Sequence, residues 1–205
     1  NYYFGFGGVL VSSVAFCLLA VIFICMVDFP FRAPEDNVSV FSLDRFFLTH
    51  GFPLFVNILM ISTAVGLIMS VELEYTFYGM VMVGFFLALM SERFVFVNAE
   101  LKSEVVTGLI LIGAALLLMI TRHALIVNYA APTMIGMGMG IVGARFLLFF
   151  IKLSRHCQRG TSQSTYILGW ESGIALGVGI GYSLFNGMSD SVLPVSLALT
   201  IVSLM

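Results

Sequence analysis

The chain has 205 residues, 60% of them hydrophobic and 10% charged, with a mean hydropathy of +1.08 and a formal net charge of -2. Soluble domains carry about 25% charged residues, so this chain lacks the polar surface to stand in water and is predicted to be an all-α, polytopic transmembrane helix bundle. Nine Lys plus Arg against eleven Asp plus Glu also exclude the strongly basic face that nucleic-acid phosphates require.

A bilayer core of about 30 Å takes roughly 20 apolar residues of helix. That length fits near 6–27, 53–71, 75–97, 104–121, 124–151 and 166–187, with a partial seventh span from about 191, all within one membrane domain over 1–205. Barrel strands would alternate lipid-facing and lumen-facing residues, whereas 109–120 and 146–151 are apolar on every side. Helices are therefore predicted throughout.

The first span has no basic region before it and no small-residue cleavage site after it, which reads as a retained helix rather than a signal peptide, although the chain opens on Asn1 and not Met. Cys17 and Cys25 fall in this span and Cys157 in a later basic loop, with no CxxC spacing, so neither a disulfide framework nor a zinc site is expected. His50, His123 and His156 lie in separate loops or at span ends and read as interfacial side chains rather than metal or haem ligands. No cofactor is expected.

Orientation follows from Lys and Arg in the short loops. Arg32, Arg45, Arg93, Lys102, Lys152, Arg155 and Arg159 follow odd-numbered spans, and Arg122 stands alone on the other side. The odd loops are thus placed in the cytoplasm or matrix. The sequon Asn37-Val38-Ser39 falls on that side and carries no functional weight.

Glu100 and Glu104 flank Lys102 at the mouth of the fourth span, where such residues are usually solvated helix ends. The fifth span contains Pro132, which removes one backbone donor and is expected to kink the helix. Gly138-x-Gly140-x-x-Gly143 matches a dinucleotide-binding pattern as text, but that loop must join a soluble strand to a helix. Inside an apolar span these glycines, with Gly136, predict close helix packing. Gly169, Gly173, Gly177 and Gly181 repeat every four residues along the sixth span and predict a second tight interface.

Two charges are singled out within spans, where an isolated ion costs several kcal/mol. Arg145 lies seven residues before Lys152, and Glu171 six residues after Thr165. At about 1.5 Å per residue they reach similar depth on consecutive antiparallel helices. They are candidates for a proton or ion path, or alternatively a packing salt bridge or snorkelling side chains.

The second half of the chain resembles the antiporter-like, proton-translocating membrane subunits of respiratory complex I, most nearly the subunit 2 group of NADH:ubiquinone oxidoreductase. The resemblance covers 104–205, the start of an antiporter-like repeat. Glu104 opens a span with a mid-helix Gly113, then come Ile120-Thr121 and Leu125-Ile126-Val127-Asn128-Tyr129. The hydroxyl-rich Thr161-Ser162-Gln163-Ser164-Thr165 follows, then Tyr166-Ile167-Leu168-Gly169, Gly173, Gly179-Ile180, Tyr182 and Asn186-Gly187. Upstream, Leu43-Asp44-Arg45-Phe46 is similar to a short motif the family carries before its third helix.

Two departures stand out. Thr133 occupies the position of the family's membrane-embedded glutamate. A second register sets Glu74 at the start of the fourth helix and Glu100-Leu101 at that glutamate, which restores the acid but spoils the match after 104. Family members also run on well past seven helices, with a lysine in the seventh, whereas this sequence ends at Met205. A split subunit is therefore expected, with another polypeptide continuing the fold after Met205.

The resemblance implies a membrane-arm subunit with no redox centre of its own, in the mitochondrial inner membrane or a bacterial plasma membrane. Its partners would be other membrane subunits and lipids. Glu171, Arg145 and, in the second register, Glu100 are the proton-path candidates it implies. Two other classes stay open: a structural accessory subunit that uses glycine-lined helices to pack, and half of a secondary transporter, which would need a midplane cavity and an inverted repeat.

Overall fold

The computed structural model describes residues 5–26, 47–96, 99–122, 124–155 and 158–205. The sequon at Asn37, the segment from Leu43 to Phe46, Arg32, His123, His156 and Cys157 lie outside the described residues. The chain forms two compact units, 1–41 and 42–205.

In the first unit, helix α1 (Gly5–Cys25) has 21 residues, about 31 Å at 1.5 Å per residue. Its side chains from Leu10 onward are exposed, among them Leu18, Val21 and Phe23. An apolar surface on all sides is what a helix surrounded by lipid presents.

Among the described residues the second unit is a bundle of six helices: α2 (Phe52–Met69), α3 (Tyr75–Phe94), α4 (Leu101–Thr121), α5 (Leu125–Leu153), α6 (Arg159–Phe185) and α7 (Ser189–Leu204). A short 3-10 turn, Thr49–Gly51, precedes α2. The chain is an all-helical, multi-pass membrane bundle, in which α2 to α6 are each long and apolar enough to cross a bilayer. In hydrocarbon no water can satisfy a free backbone group, so each crossing closes its own hydrogen bonds as a helix.

Hydroxyl side chains follow the same logic. Ser62 donates to the Ile58 carbonyl at 2.7 Å, Thr165 to Thr161 at 2.8 Å, and Thr200 to Ser196 at 2.8 Å. This bonding also explains why α6 starts at Arg159, seven residues before the apolar run. The segment from Thr161 to Thr165 is helical, with Thr161, Ser162 and Thr165 buried. Thr165 Oγ1 further accepts the Leu48 backbone N–H at 2.8 Å, fixing the entry to α2.

α5 is the hub, packing against α3 on one side and α4 on the other, with α6 touching it less. α2 packs against α6 and α7, and α4 closes the ring against α7. The interior holds two larger buried clusters and a smaller one of Leu67, Val71 and Val192. Ile58, Ile61, Val105, Leu109, Val142, Phe146 and Phe150 fill the half toward the 3-10 turn. Val65, Ile68, Ile112, Leu116, Ala131 and Ile135 fill the other half.

Glycines set the crossings. A Cβ on Gly173 would lie 2.6 Å from the Leu59 carbonyl oxygen, and one on Gly177 would meet the Thr63 carbonyl, so α6 presses its glycines on the α2 backbone. Gly169 stands against Ile58 and Gly181 against Ser70. Gly136 faces the Val81 carbonyl of α3, and Gly140 faces Ala88. Lipid gives no hydrophobic drive for helices to associate, so van der Waals contact at such close approaches carries the packing.

α5 stays one helix through Pro132 rather than breaking there. The turn from α6 to α7 uses left-handed backbone at Asn186 (φ 50) and Gly187 (φ 69), and the Gly187 N–H donates to the Gly181 carbonyl at 3.0 Å. Asn57 on α2 donates to the Ser203 carbonyl at 3.0 Å, taking up an end carbonyl that α7 cannot pair itself.

Candidate functional site

The helices alternate in direction, so Arg93, Lys102, Lys152, Arg155 and Arg159 collect at one end of the bundle and Arg122 stands at the other. At the basic end three charged side chains meet. Glu104 sits in the first turn of α4, where a carboxylate is favoured by the helix dipole. Glu92 lies two residues before the end of α3, and Arg145 eight residues before the end of α5.

Arg145 Nε donates to Glu104 Oε2. Its Nη2 lies 3.8 Å from Glu92 Oε1, an ion pair beyond hydrogen-bonding distance. Side-chain exposure is 3% for Glu104, 15% for Arg145 and 24% for Glu92. Burial thus rises from Glu92, which reaches the surface, to Glu104, which is enclosed. Two carboxylates share one guanidinium, leaving a formal charge of -1. One proton would neutralise the cluster.

The pairing of Arg145 with Glu171 that equal depth suggested does not form. Glu171 is exposed on α6 and makes no ion pair among the described residues. Gly169, Gly173 and Gly177 hold the opposite face of α6 against α2, and about 100° of turn per residue carries Glu171 to the outside. Trp170 and Tyr166, stacked at 6.2 Å between ring centroids, fill the space toward α5 instead. Glu100 is also exposed, and its backbone carbonyl accepts the Glu104 N–H at 3.2 Å. Thr133 donates its hydroxyl to the Tyr129 carbonyl at 2.7 Å.

Sequence reading takes Glu104 for a solvated helix end and does not single out Glu92. Depth alone could have found Glu104, because it lies 17 residues before the end of α4 and Arg145 lies 20 after the start of α5. Depth arithmetic admits both Glu104 and Glu171 as partners, and helix contact decides between them.

The opposite end carries two clefts. One, of about 300 Å³, is lined by Arg122, Asn128, Ser189, Asp190 and Pro194. The other, of about 210 Å³, is lined by Glu72, Glu74, Thr76, Asn128 and Pro132. Ile112, Ala115, Leu116, Ala131, Ile135 and Met139 separate them from the charged cluster, and none of these side chains can pass a proton. Among the described residues no three His, Cys, Asp or Glu side chains converge to hold a metal ion.

No protein-family model, curated protein or solved structure matches this chain.

Proposed function

We propose that this chain is a redox-inactive membrane subunit of proton-translocating NADH:ubiquinone oxidoreductase, in the mitochondrial inner membrane or a bacterial plasma membrane. Its role would be to hold and release a proton at Glu104. The ordered resemblance over 104–205 supports the family, and the buried cluster of Glu104, Arg145 and Glu92 carries the mechanism. An ion at this depth is costly unless paired, and here two carboxylates compete for one partner. If Arg145 swings from Glu104 toward Glu92, the Glu104 carboxylate is left buried without a counter-ion, and taking up a proton relieves it. The return of Arg145 expels that proton. The half-buried Glu92, which reaches the surface, gives the basic-side solution access to the pair.

A second reading has one observation in its favour. The apolar layer from Ile112 to Met139 closes the way from the cluster to the clefts at the far end, as expected of an accessory subunit in which the ion pair only locks α3, α4 and α5 together.

Glu104→Gln in the native membrane separates the two, because glutamine keeps the shape and can accept the Arg145 hydrogen bond but cannot carry a proton. The proton-path reading expects normal assembly with pumping reduced by about tenfold or more, a barrier change of about 1.4 kcal/mol or more. Unchanged pumping per assembled complex would refute it and leave the packing reading.

A further inference from the structure

A lateral groove of about 440 Å³ opens between α3 and α6, with α5 as its floor. Phe85, Ala88 and Leu89 form one wall, Tyr166 and Trp170 the other, and Gly140, Gly143 and Ala144 the floor. Glu92 closes the groove at the basic end. Leu89 is 62% exposed, so the groove faces the surrounding lipid. From Phe85 to Glu92 the wall rises by about 10 Å. Glu92 lies two residues from the end of α3, at the height where headgroups meet the hydrocarbon.

We propose that this groove holds a phospholipid with a primary-amine headgroup, its acyl chain along Leu89, Gly143 and Trp170 and its ammonium on Glu92. Three observations point there. First, the volume is wrong for a partner helix. A helix is about 10–12 Å across, so 440 Å³ would take about one turn of it, whereas a hydrocarbon tail is far thinner.

Second, side chains already stand over the small-residue floor. A Cβ on Gly140 would lie 2.7 Å from Ala88 Cβ, and one on Gly143 would lie 3.4 Å from the Tyr166 hydroxyl. A helix backbone therefore cannot reach the floor, whereas a thin acyl chain can lie above it, between the Leu89 and Trp170 side chains.

Third, the charge is complementary. The cluster is one positive charge short, and Glu92 is its most exposed member at 24%. Its carboxylate receives no hydrogen bond from the described residues, since Arg145 Nη2 stops at 3.8 Å. A primary ammonium offers three donors and a positive charge, which gives a charge-assisted hydrogen bond. A trimethylammonium headgroup offers no donor, and a glycerol headgroup brings no positive charge to Glu92.

Native mass spectrometry of the full chain, released from bilayers with equal amounts of phosphatidylethanolamine, phosphatidylcholine and phosphatidylglycerol, tests this. The wild type is expected to retain phosphatidylethanolamine over phosphatidylcholine by about fivefold, or about 1 kcal/mol. Glu92→Gln should reduce that ratio to about one while total bound lipid stays the same. Leu89→Trp, on the exposed rim, should lower retention of all three lipids. Equal retention of the three lipids by the wild type, or an unchanged ratio in Glu92→Gln, would overturn the proposal. Should Leu89→Trp fail to fold, the headgroup ratio in Glu92→Gln decides alone.

Discussion

Gly108 of α4 and Gly138 of α5 meet backbone to backbone. A Cβ on Gly138 would stand 2.6 Å from the Gly108 carbonyl oxygen, and one on Gly108 would stand 3.0 Å from the Gly138 carbonyl. Glu104 is one turn from this crossing and Arg145 about two turns, both toward the basic end, so the glycine contact brings the two charges within reach. Replacing Gly138 by Leu should force the helices apart and break the ion pair with it. The cost expected is about 1–3 kcal/mol, as for other overpacked interiors, read as a lower thermal midpoint in detergent. Gly113→Ala is the control. Its Cβ would meet Thr200 at 3.9 Å, an ordinary contact, so the midpoint should hold or rise slightly, because alanine is the better helix former.

Arg145→Ala should be the most damaging single change at the charged cluster. It leaves Glu104, with 3% of its side chain exposed, buried beside a second carboxylate, and breaking a buried pair costs about 3–5 kcal/mol. Replacing Arg145 and Glu104 together by Met should recover much of the loss, since the one charge left without a partner, Glu92, reaches the surface. A double-mutant cycle on unfolding midpoints measures the coupling, and additive losses would refute this account of the pair.

Thr165→Val keeps the shape of the side chain but removes the oxygen that receives the Leu48 N–H at 2.8 Å. An unpaired buried donor costs about 1–3 kcal/mol. Amide hydrogen exchange at Leu48 should accelerate accordingly, while exchange in the middle of α5 should not change.

Asn57→Leu removes the side-chain bond to the Ser203 carbonyl. It also removes Asn57 Oδ1, a buried oxygen with no partner among the described residues. The end of α7 should fray faster in hydrogen exchange, while global stability falls by less than about 1 kcal/mol, because the deleted oxygen was itself unsatisfied.

Glu171→Gln should not destabilise the bundle. The side chain is exposed and unpaired among the described residues, at a depth where a lone ion is costly, so removing its charge should hold or raise the thermal midpoint. A loss of assembly comparable to that of Arg145→Ala would show that Glu171 has a partner within the working membrane.

The helices were legible because membrane spans are written in length and hydropathy. The span read near 75–97 is α3 from Tyr75 to Phe94, and the span read at 124–151 is α5 from Leu125 to Leu153. The start of α6 was missed because Thr161 to Thr165 look polar, whereas hydroxyls that bond their own helix can be buried. Partner choice at Arg145 was not legible. Depth along the axis comes from counting residues, but which neighbour a helix leans on depends on where glycines face each other. Gly108 makes no four-residue repeat in α4, because the other glycine there, Gly113, is five residues on and faces elsewhere. Glu92 was not singled out for a related reason, since only the packing of α3 on α5 brings it to Arg145.

The pairing of α2 with α6 constrains how the protein is made. About 90 residues of chain separate Met69 from Arg159, and at roughly 5–20 residues per second the ribosome needs about 5–20 s to synthesise them. Throughout that interval Gly66, Ser62 and Thr63 of α2 lie in the bilayer without their eventual cover. Three intervening crossings must insert in the correct direction before α6 arrives. An insertase or membrane chaperone that shelters α2 during translation would have to recognise a surface of small residues and hydroxyls, the same surface that α6 later displaces it from.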